Sequence, residues 1–282
     1  MTRKKAQFAG SWYPFDAREC QREIEAFVNS TTLPEGVFLC GIVPHAGWFF
    51  SGSIACGVMA ALGKRNAPDL VLIFGMHMHG SEAPRILAQG GWETPLGPLD
   101  VHEPYVQALS KKVAFEQDTP HTFPGDNTIE VQLPLVKYFF PNAAIVPVGV
   151  PPSPVASQMG VSAVEVAGEM GLNIVVIGST DLTHYGENFG FTPAGSGPGA
   201  LEWMEKENDA MALDAILSMD GDQILYQGRQ RRNMCCAGAV AATVATARAM
   251  GAVKGMALDY ATSFDKSPGN SFVGYTGVLF GQ

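Results

Sequence analysis

The sequence predicts one α/β domain over residues 1–282, with a central, mostly parallel sheet flanked by helices on both faces. Three observations carry that prediction. Short, continuously apolar runs at 37–43, 70–74 and 174–177 have the pattern of strands covered on both sides. Segments of helical character separate them, and such alternation builds parallel sheets through crossover connections. Composition does not shift along the chain and no internal repeat is evident, so nothing divides it into two units.

The elements follow in order. After Ala9-Gly10-Ser11-Trp12-Tyr13-Pro14, a polar helix is expected over about 16–29, with Ile24, Phe27 and Val28 as its apolar positions. A strand follows at 36–43. Residues 53–63 are small and apolar throughout, as expected of a helix buried on a sheet. Strands are expected at 70–74 and 85–89, a turn-rich stretch at 90–98 and a helix at 103–112. Residues 119–128 read as a loop in which Asp126, Asn127 or Thr128 caps a helix over 129–139, despite Pro134. A strand at 143–150, a helix at 155–170 and a strand at 173–177 come next, and the Gly- and Pro-rich stretch 191–200 is linker-like. Helices at 201–218, 222–227 and 235–250 and strands at 256–262 and 272–280 complete the chain.

Composition narrows the function. With 46% hydrophobic and 16% charged residues the chain can bury a substantial core. A formal net charge of −9 argues against nucleic acid or an anionic membrane as partner, since both are recognised through basic surface. The basic clusters at 3–5 and 229–232 are short and read as solvated. No apolar stretch reaches the length of a membrane span, and the N-terminus lacks the apolar core of a secretory signal, so a cytoplasmic location is expected. Five cysteines, two of them adjacent, make poor disulfide arithmetic and suit free thiols. The glycine-rich stretches lack both the phosphate-loop lysine and the dinucleotide spacing, so no nucleotide site is assigned.

The chemistry concentrates just past the strands. His45 follows the first apolar run in Pro44-His45-Ala46-Gly47, and His77 and His79 flank Met78 after the second. Asp181 and His184 lie beyond the third, in Ser179-Thr180-Asp181-Leu182-Thr183-His184-Tyr185. In an open α/β sheet ligands bind in the crevice beyond the carboxyl ends of the strands, so these side chains could converge on a metal or an acid/base site. If the 76–80 turn is extended, period-2 alternation places His77 and His79 on the same side. Cys235 opens a small-residue helix, whose N-terminal amides favour a thiolate. Glu130 is a candidate supporting carboxylate. Each has an ordinary structural alternative: a half-buried or solvated histidine, a helix-capping aspartate, an inert buried cysteine.

Taken together the motifs are recognisable. Ala9-Gly10-Ser11-Trp12-Tyr13-Pro14, Pro44-His45-Ala46-Gly47, Thr94-Pro95-Leu96-Gly97, Ile129-Glu130-Val131-Gln132-Leu133-Pro134, Ser179-Thr180-Asp181-Leu182-Thr183-His184-Tyr185-Gly186 and Val273-Gly274-Tyr275 occur in an order that resembles the Memo family over essentially the whole chain. That family is similar in fold to class III extradiol dioxygenases of the LigB type, which implies a LigB-like α/β core. In those dioxygenases two histidines and a glutamate hold non-haem Fe(II) with open positions for substrate and O₂. Memo-like proteins present two histidines and a cysteine instead. The resemblance therefore implies His45 as first ligand, Cys235 as third, and Asp181 and His184 as the acid/base pair of the pocket. Cys235 is preferred to Cys236 because the family's cysteine is usually followed by glycine.

Two departures stand out. The family's second histidine falls on Met78 here, leaving His77 and His79 as candidates, with His79 preferred because Gly80 closes the turn. Asn127 stands where the family often has a histidine, and His121 is the nearby residue that could compensate. The implied function is a metal-dependent dioxygenase or oxidoreductase with Fe(II), or alternatively Cu or Zn. The alternatives are a non-catalytic protein that holds a small molecule or peptide in the same pocket, and a zinc hydrolase on the same residues. The resemblance also implies a pathway link to radical-SAM and AMMECR-type proteins.

Overall fold

The computed structural model describes residues 2–64 and 67–281. The chain runs through β1 (Arg3–Lys4), α1 (Ala17–Ser30), β2 (Phe38–Val43), α2 (Trp48–Gly63), β3 (Leu70–Gly75) and β4 (Arg85–Leu87). It continues through β5 (Gly91–Trp92), β6 (Leu99–Asp100), α3 (Glu103–Leu109), β7 (Glu116–Asp118), α4 (Asn127–Glu130), α5 (Leu133–Phe139) and β8 (Ala144–Gly149). The rest comprises α6 (Val155–Met170), β9 (Ile174–Ser179), β10 (His184–Tyr185), α7 (Pro198–Trp203), α8 (Asp209–Leu217), α9 (Gly221–Arg231), α10 (Ala237–Ala249), β11 (Lys254–Thr262) and β12 (Phe272–Gly281).

The main sheet has the order β10-β12-β2-β9-β3-β8-β4-β7, with β11 also paired to β12. Its centre is parallel: Cys40 lies beside Val176, Val71 beside Val175 and Leu72 beside Val146. The flanks are antiparallel, β12 against β2 on one side and β4 against β8 on the other. The sheet is therefore mixed, and it is parallel in the part that carries the site. A continuous apolar run reports burial on both faces and not strand direction, which is why the sequence overstates the parallel share.

Every residue of β3 and of β9 is buried, because helices cover both faces. Alternation along β2 sends Gly41 toward α2 and Ile42 toward α10. A Cβ on Gly41 would stand 2.5 Å from Val58 of α2, and one on Gly178, beside Ile42 in β9, would stand 2.3 Å from the hydroxyl of Thr243 in α10. Both helices thus press onto the sheet, and both are built from small and apolar residues. The helices α1 and α5 pack with α2, while α6 and α9 pack with α10, giving two helical layers around one sheet. No helix among the described residues is long and apolar enough to cross a membrane.

Several boundaries differ from expectation for identifiable reasons. The helix expected at 129–139 is two, α4 and α5, because Pro134 sits in the first turn of α5, where its missing N–H costs nothing. Asp126 caps α4 by accepting from the Thr128 N–H. The single helix expected at 201–218 is α7 and α8 joined by a π-helical turn, Met204–Asn208. The helix expected at 53–63 begins at Trp48, directly after Gly47. The stretch 191–200 is no linker: the Tyr185 hydroxyl donates to the Gly195 carbonyl at 2.8 Å and Ala200 is buried in a small aromatic cluster. The two- and three-residue strands β1, β5, β6, β7 and β10 are too short to show any periodicity.

Candidate metal centre

The neighbours β2, β9 and β3 are parallel, so their carboxyl ends lie side by side, and each continues into a loop carrying one of the expected residues. The loop after β2 is pinned on every side. The His45 N–H donates to Asp181 Oδ1 at 2.7 Å, the His45 carbonyl accepts from Asn127 Nδ2 at 3.0 Å, and the Pro44 carbonyl accepts from Gln132 Nε2 at 2.7 Å. His45 is 1% exposed, with Nδ1 3.0 Å from the Ser179 hydroxyl and Nε2 3.2 Å from Cys235 Sγ.

The loop after β3 turns at Met76, which has a left-handed backbone with φ of 73° and donates its N–H to Thr128 Oγ1 at 2.7 Å. A non-glycine residue in that region is costly and persists only where its surroundings enforce it. The consequence is that His77 faces His45, the two rings meeting edge to face at 5.1 Å. Asp126 Oδ2 accepts from the His77 N–H at 3.3 Å and lies 3.2 Å from its Nδ1, which leaves Nε2 for the cluster. The loop after β9 supplies Asp181, whose N–H donates to Cys235 Sγ at 3.2 Å and whose carbonyl accepts from the Cys235 N–H at 3.2 Å. Cys235 stands just before α10, and Cys236, the N-cap position of that helix, donates its N–H to Thr180 Oγ1 at 3.1 Å.

His45, His77, Cys235 and Cys236 thereby offer four donor atoms that all lie within 4.8 Å of one another. Two ligands of one tetrahedral ion, a thiolate at ~2.3 Å and an imidazole at ~2.05 Å, are ~3.6 Å apart. The 3.2 Å between Cys235 Sγ and His45 Nε2 is close to that figure, so the donor set fits a soft ion.

Charge reinforces the arrangement. Burial alone would depress the His45 pKa, but Asp181 and the Cys235 sulfur raise it above the usual imidazole value. The hydrogen bond to Asp126, then that to Cys235, carries His77 up to about 10. Burial disfavours charge on Cys235 as well, yet hydrogen bonding from Cys236 and the two imidazoles holds its thiol well below the ordinary range. Burial, with the adjacent Cys235, pushes Cys236 the other way. Burial also raises the Asp181 carboxyl, against the pull of His45. Burial opposes the charge on Asp126 too, but His77 and Thr128 hold it at about 2. The shifts thus favour charge of opposite sign on Cys235 and on the two imidazoles that flank it.

A cavity of about 490 Å³ opens beside His45 and His77, with Trp12, Phe50, Phe189 and Tyr275 as aromatic walls and Asp181 and His184 among its lining. A second, of about 360 Å³, shares His77, His184 and Phe189 and reaches Cys235 and Arg232. His184 Nδ1 lies 3.2 Å from the Leu182 carbonyl, so the neutral ring donates there and keeps Nε2 as an acceptor.

The structure therefore brings together His45, His77, Cys235, Asp181 and His184. His77, and not the His79 preferred from the sequence, stands in the four-donor cluster. His79 is exposed, with Nδ1 2.7 Å from the Ser81 hydroxyl and its N–H bound to Glu82, and it stands outside the four-donor cluster. The left-handed turn at Met76 breaks the extended geometry that would place His77 and His79 on the same side. His121 is exposed and lines neither cavity. Glu130 supports no ligand: it accepts from the Phe8 N–H at 2.6 Å and the Tyr13 hydroxyl at 3.0 Å, fixing the segment that puts Trp12 in the cavity wall. In the sequence Asp126 reads only as a helix cap, and its bond to His77 crosses 49 residues with no local signal.

Comparison with known proteins gives the family. A family described as Memo-like protein matches residues 4–279. A MEMO1 family protein of Pyrococcus furiosus is 31% identical over 290 residues, covering 98% of each chain, and one of Methanopyrus kandleri is 33% identical over 287 residues, covering 96% of each. A crystal structure of an uncharacterized protein from Escherichia coli K12 is similar in fold, with a TM-score of 0.59 at 11% identity, covering 86% of this chain and 99% of that one. With a family match across nearly its whole length and relatives above 30% identity end to end, the chain belongs to the Memo family.

Proposed function

We propose that this protein is a metal-binding redox protein whose iron or copper ion is held by His45, His77 and Cys235 at the edge of an aromatic cavity. The observation that carries the reading is the convergence, at the carboxyl ends of three adjacent parallel strands, of two imidazoles and a thiolate from residues far apart in sequence. When bound, such an ion would supply one-electron chemistry toward dioxygen or peroxide. The chain's own residues prepare the rest. Asp126 holds the His77 ring with Nε2 inward. Asp181 ties the His45 backbone to the Cys235 segment. His184 presents an acceptor nitrogen to whatever fills the cavity, and so can take a proton from it and return it. Trp12, Phe50, Phe189 and Tyr275 favour a flat or apolar group and exclude water from around it. Five free cysteines suit a reducing, cytoplasmic setting.

A second reading, a module that binds a small molecule or peptide without turnover, is favoured by the cavity itself, which is walled and sized for a ligand without help from an ion. The two separate in one experiment. The full chain, purified without affinity-tag histidines, is titrated anaerobically with Fe(II), Cu(I) and Zn(II), and bound metal is measured by elemental mass spectrometry. Near one equivalent of iron or copper is expected. His79→Ala should bind as wild type does, whereas Asp126→Ala should lose about 10–100-fold in affinity as the His77 ring loses its anchor. If no metal binds above trace level, the ligand-binding reading replaces the redox one.

A further inference from the structure

A fourth donor stands in the cluster beyond the three just used. Cys236 is 2% exposed, and its sulfur lies 3.8 Å from that of Cys235. Two thiolates on one tetrahedral ion, each bonded at ~2.3 Å, are ~3.8 Å apart. Both cysteines are tied to one short segment after β9: the Cys236 N–H donates to Thr180 Oγ1 at 3.1 Å, and Cys235 Sγ accepts the Asp181 N–H at 3.2 Å. Cys236 has φ −125° and ψ 53°, so it lies outside the regular turns of α10 and its side chain is not committed to a helical direction. Among the described residues no carboxylate oxygen belongs to the four-donor cluster, and Asp181 Oδ2 stands 3.9 Å from His45 Nε2.

We propose that Cys236 is a fourth protein ligand, so that this chain holds its ion in a set of two imidazoles and two thiolates, His45, His77, Cys235 and Cys236. The inference rests on the reading that the cluster binds a metal, and it departs from that reading on which metal, setting iron aside. Two nitrogen and two sulfur donors in a tetrahedron select Zn(II) or Cu(I) over Fe(II), and four protein donors leave no open position at the ion. Loading forms two sulfur–metal and two nitrogen–metal bonds and releases to solvent whatever protons the thiols and imidazoles carried; no electron moves. An occupant of the aromatic cavity then lies beside a filled coordination sphere and reaches the ion only by displacing a donor.

Co(II) is the probe, because thiolate-to-cobalt charge-transfer absorption grows with the number of bound thiolates. Full-length wild type and the Cys236→Ser and Cys236→Ala variants are loaded anaerobically, with circular dichroism to confirm that each is folded. In both variants the absorption per bound cobalt is expected to fall to about half of the wild-type value, two thiolates becoming one. In parallel, X-ray absorption of Zn(II)-loaded wild type, which needs no variant, should resolve two sulfur and two nitrogen neighbours. Equal cobalt bands in wild type and variants, or a single sulfur neighbour around zinc, would overturn the assignment of Cys236 while leaving the three-donor site standing. Failure of wild type to bind cobalt or zinc at all would overturn the metal reading and this inference together.

Discussion

Cys235→Ala is expected to weaken binding of a soft metal ion by at least ~100-fold, more than the loss from removing the Asp126 anchor. The sulfur is the centre of the cluster, touching His45 Nε2, the Asp181 N–H and Cys236. Without it two imidazoles face each other with no anion between them. Part of the upward shift at both histidines comes from Cys235, so each becomes easier to deprotonate in the variant. The wild-type ion must displace those protons, and its affinity should rise with pH across the neutral range; the variant should show a shallower rise. A competition titration against a chromophoric chelator at several pH values reads both effects. The fold should hold, since the deletion removes one sulfur at the edge of the core. Affinity within about threefold of wild type would exclude the sulfur as a ligand.

Asp209→Asn should change the pH dependence of stability by about 3 kcal/mol, at ~1.36 kcal/mol per pKa unit. Asp209 is 1% exposed, and burial carries its carboxyl from 3.8 up to about 6. The Thr183 N–H at 3.0 Å and the Tyr260 hydroxyl at 2.9 Å only partly offset that burial, and Glu205 adds to it. The folded state therefore holds this proton more tightly than the unfolded state does. The contribution is most favourable at low pH, where both states are protonated. It declines as pH rises from about 4 to about 6 and stays lost above that. An asparagine keeps an acceptor for Thr183 and has no charge to bury. Urea midpoints measured from about pH 4 to about pH 8 should show the difference between variant and wild type growing in the variant's favour. A difference that stays constant with pH would show that Asp209 is not the group responsible.

What was legible in the sequence had a short-range signature. The runs before His45, His77 and Asp181 announced buried strands, and the crevice beyond strand ends gave those residues a common destination. Cys235 was legible as the start of a small-residue helix. The choice between His77 and His79 was not, because both orientations satisfy the same Gly-bounded turn. The left-handed backbone at Met76 and the bonds from Thr128 and Asp126, distant in sequence, turn His77 into the cluster. Glu130 misled for a related reason: its motif lies beside the site in sequence, but its carboxylate points to Phe8 and Tyr13. The antiparallel flanks escaped notice because apolar content does not encode strand direction.

The π-helical turn Met204–Asn208 bears on the site at long range. Asn208 Nδ2 donates to the Thr183 hydroxyl at 2.9 Å, and Asn233 Nδ2 donates to the Asn208 carbonyl at 2.8 Å. The segments bearing His184 and Cys235 are thus both tied to the π-helical turn between them in sequence. His45 and Cys235 are themselves 190 residues apart, with both imidazoles preceding both sulfurs in chain order. As the polypeptide leaves the ribosome, then, His45 and His77 emerge long before Cys235 and Cys236. The central strand β2 also waits for β12, the last strand of the sheet. Under the proposed metal reading, the full donor set exists only in the finished chain, and loading would follow synthesis.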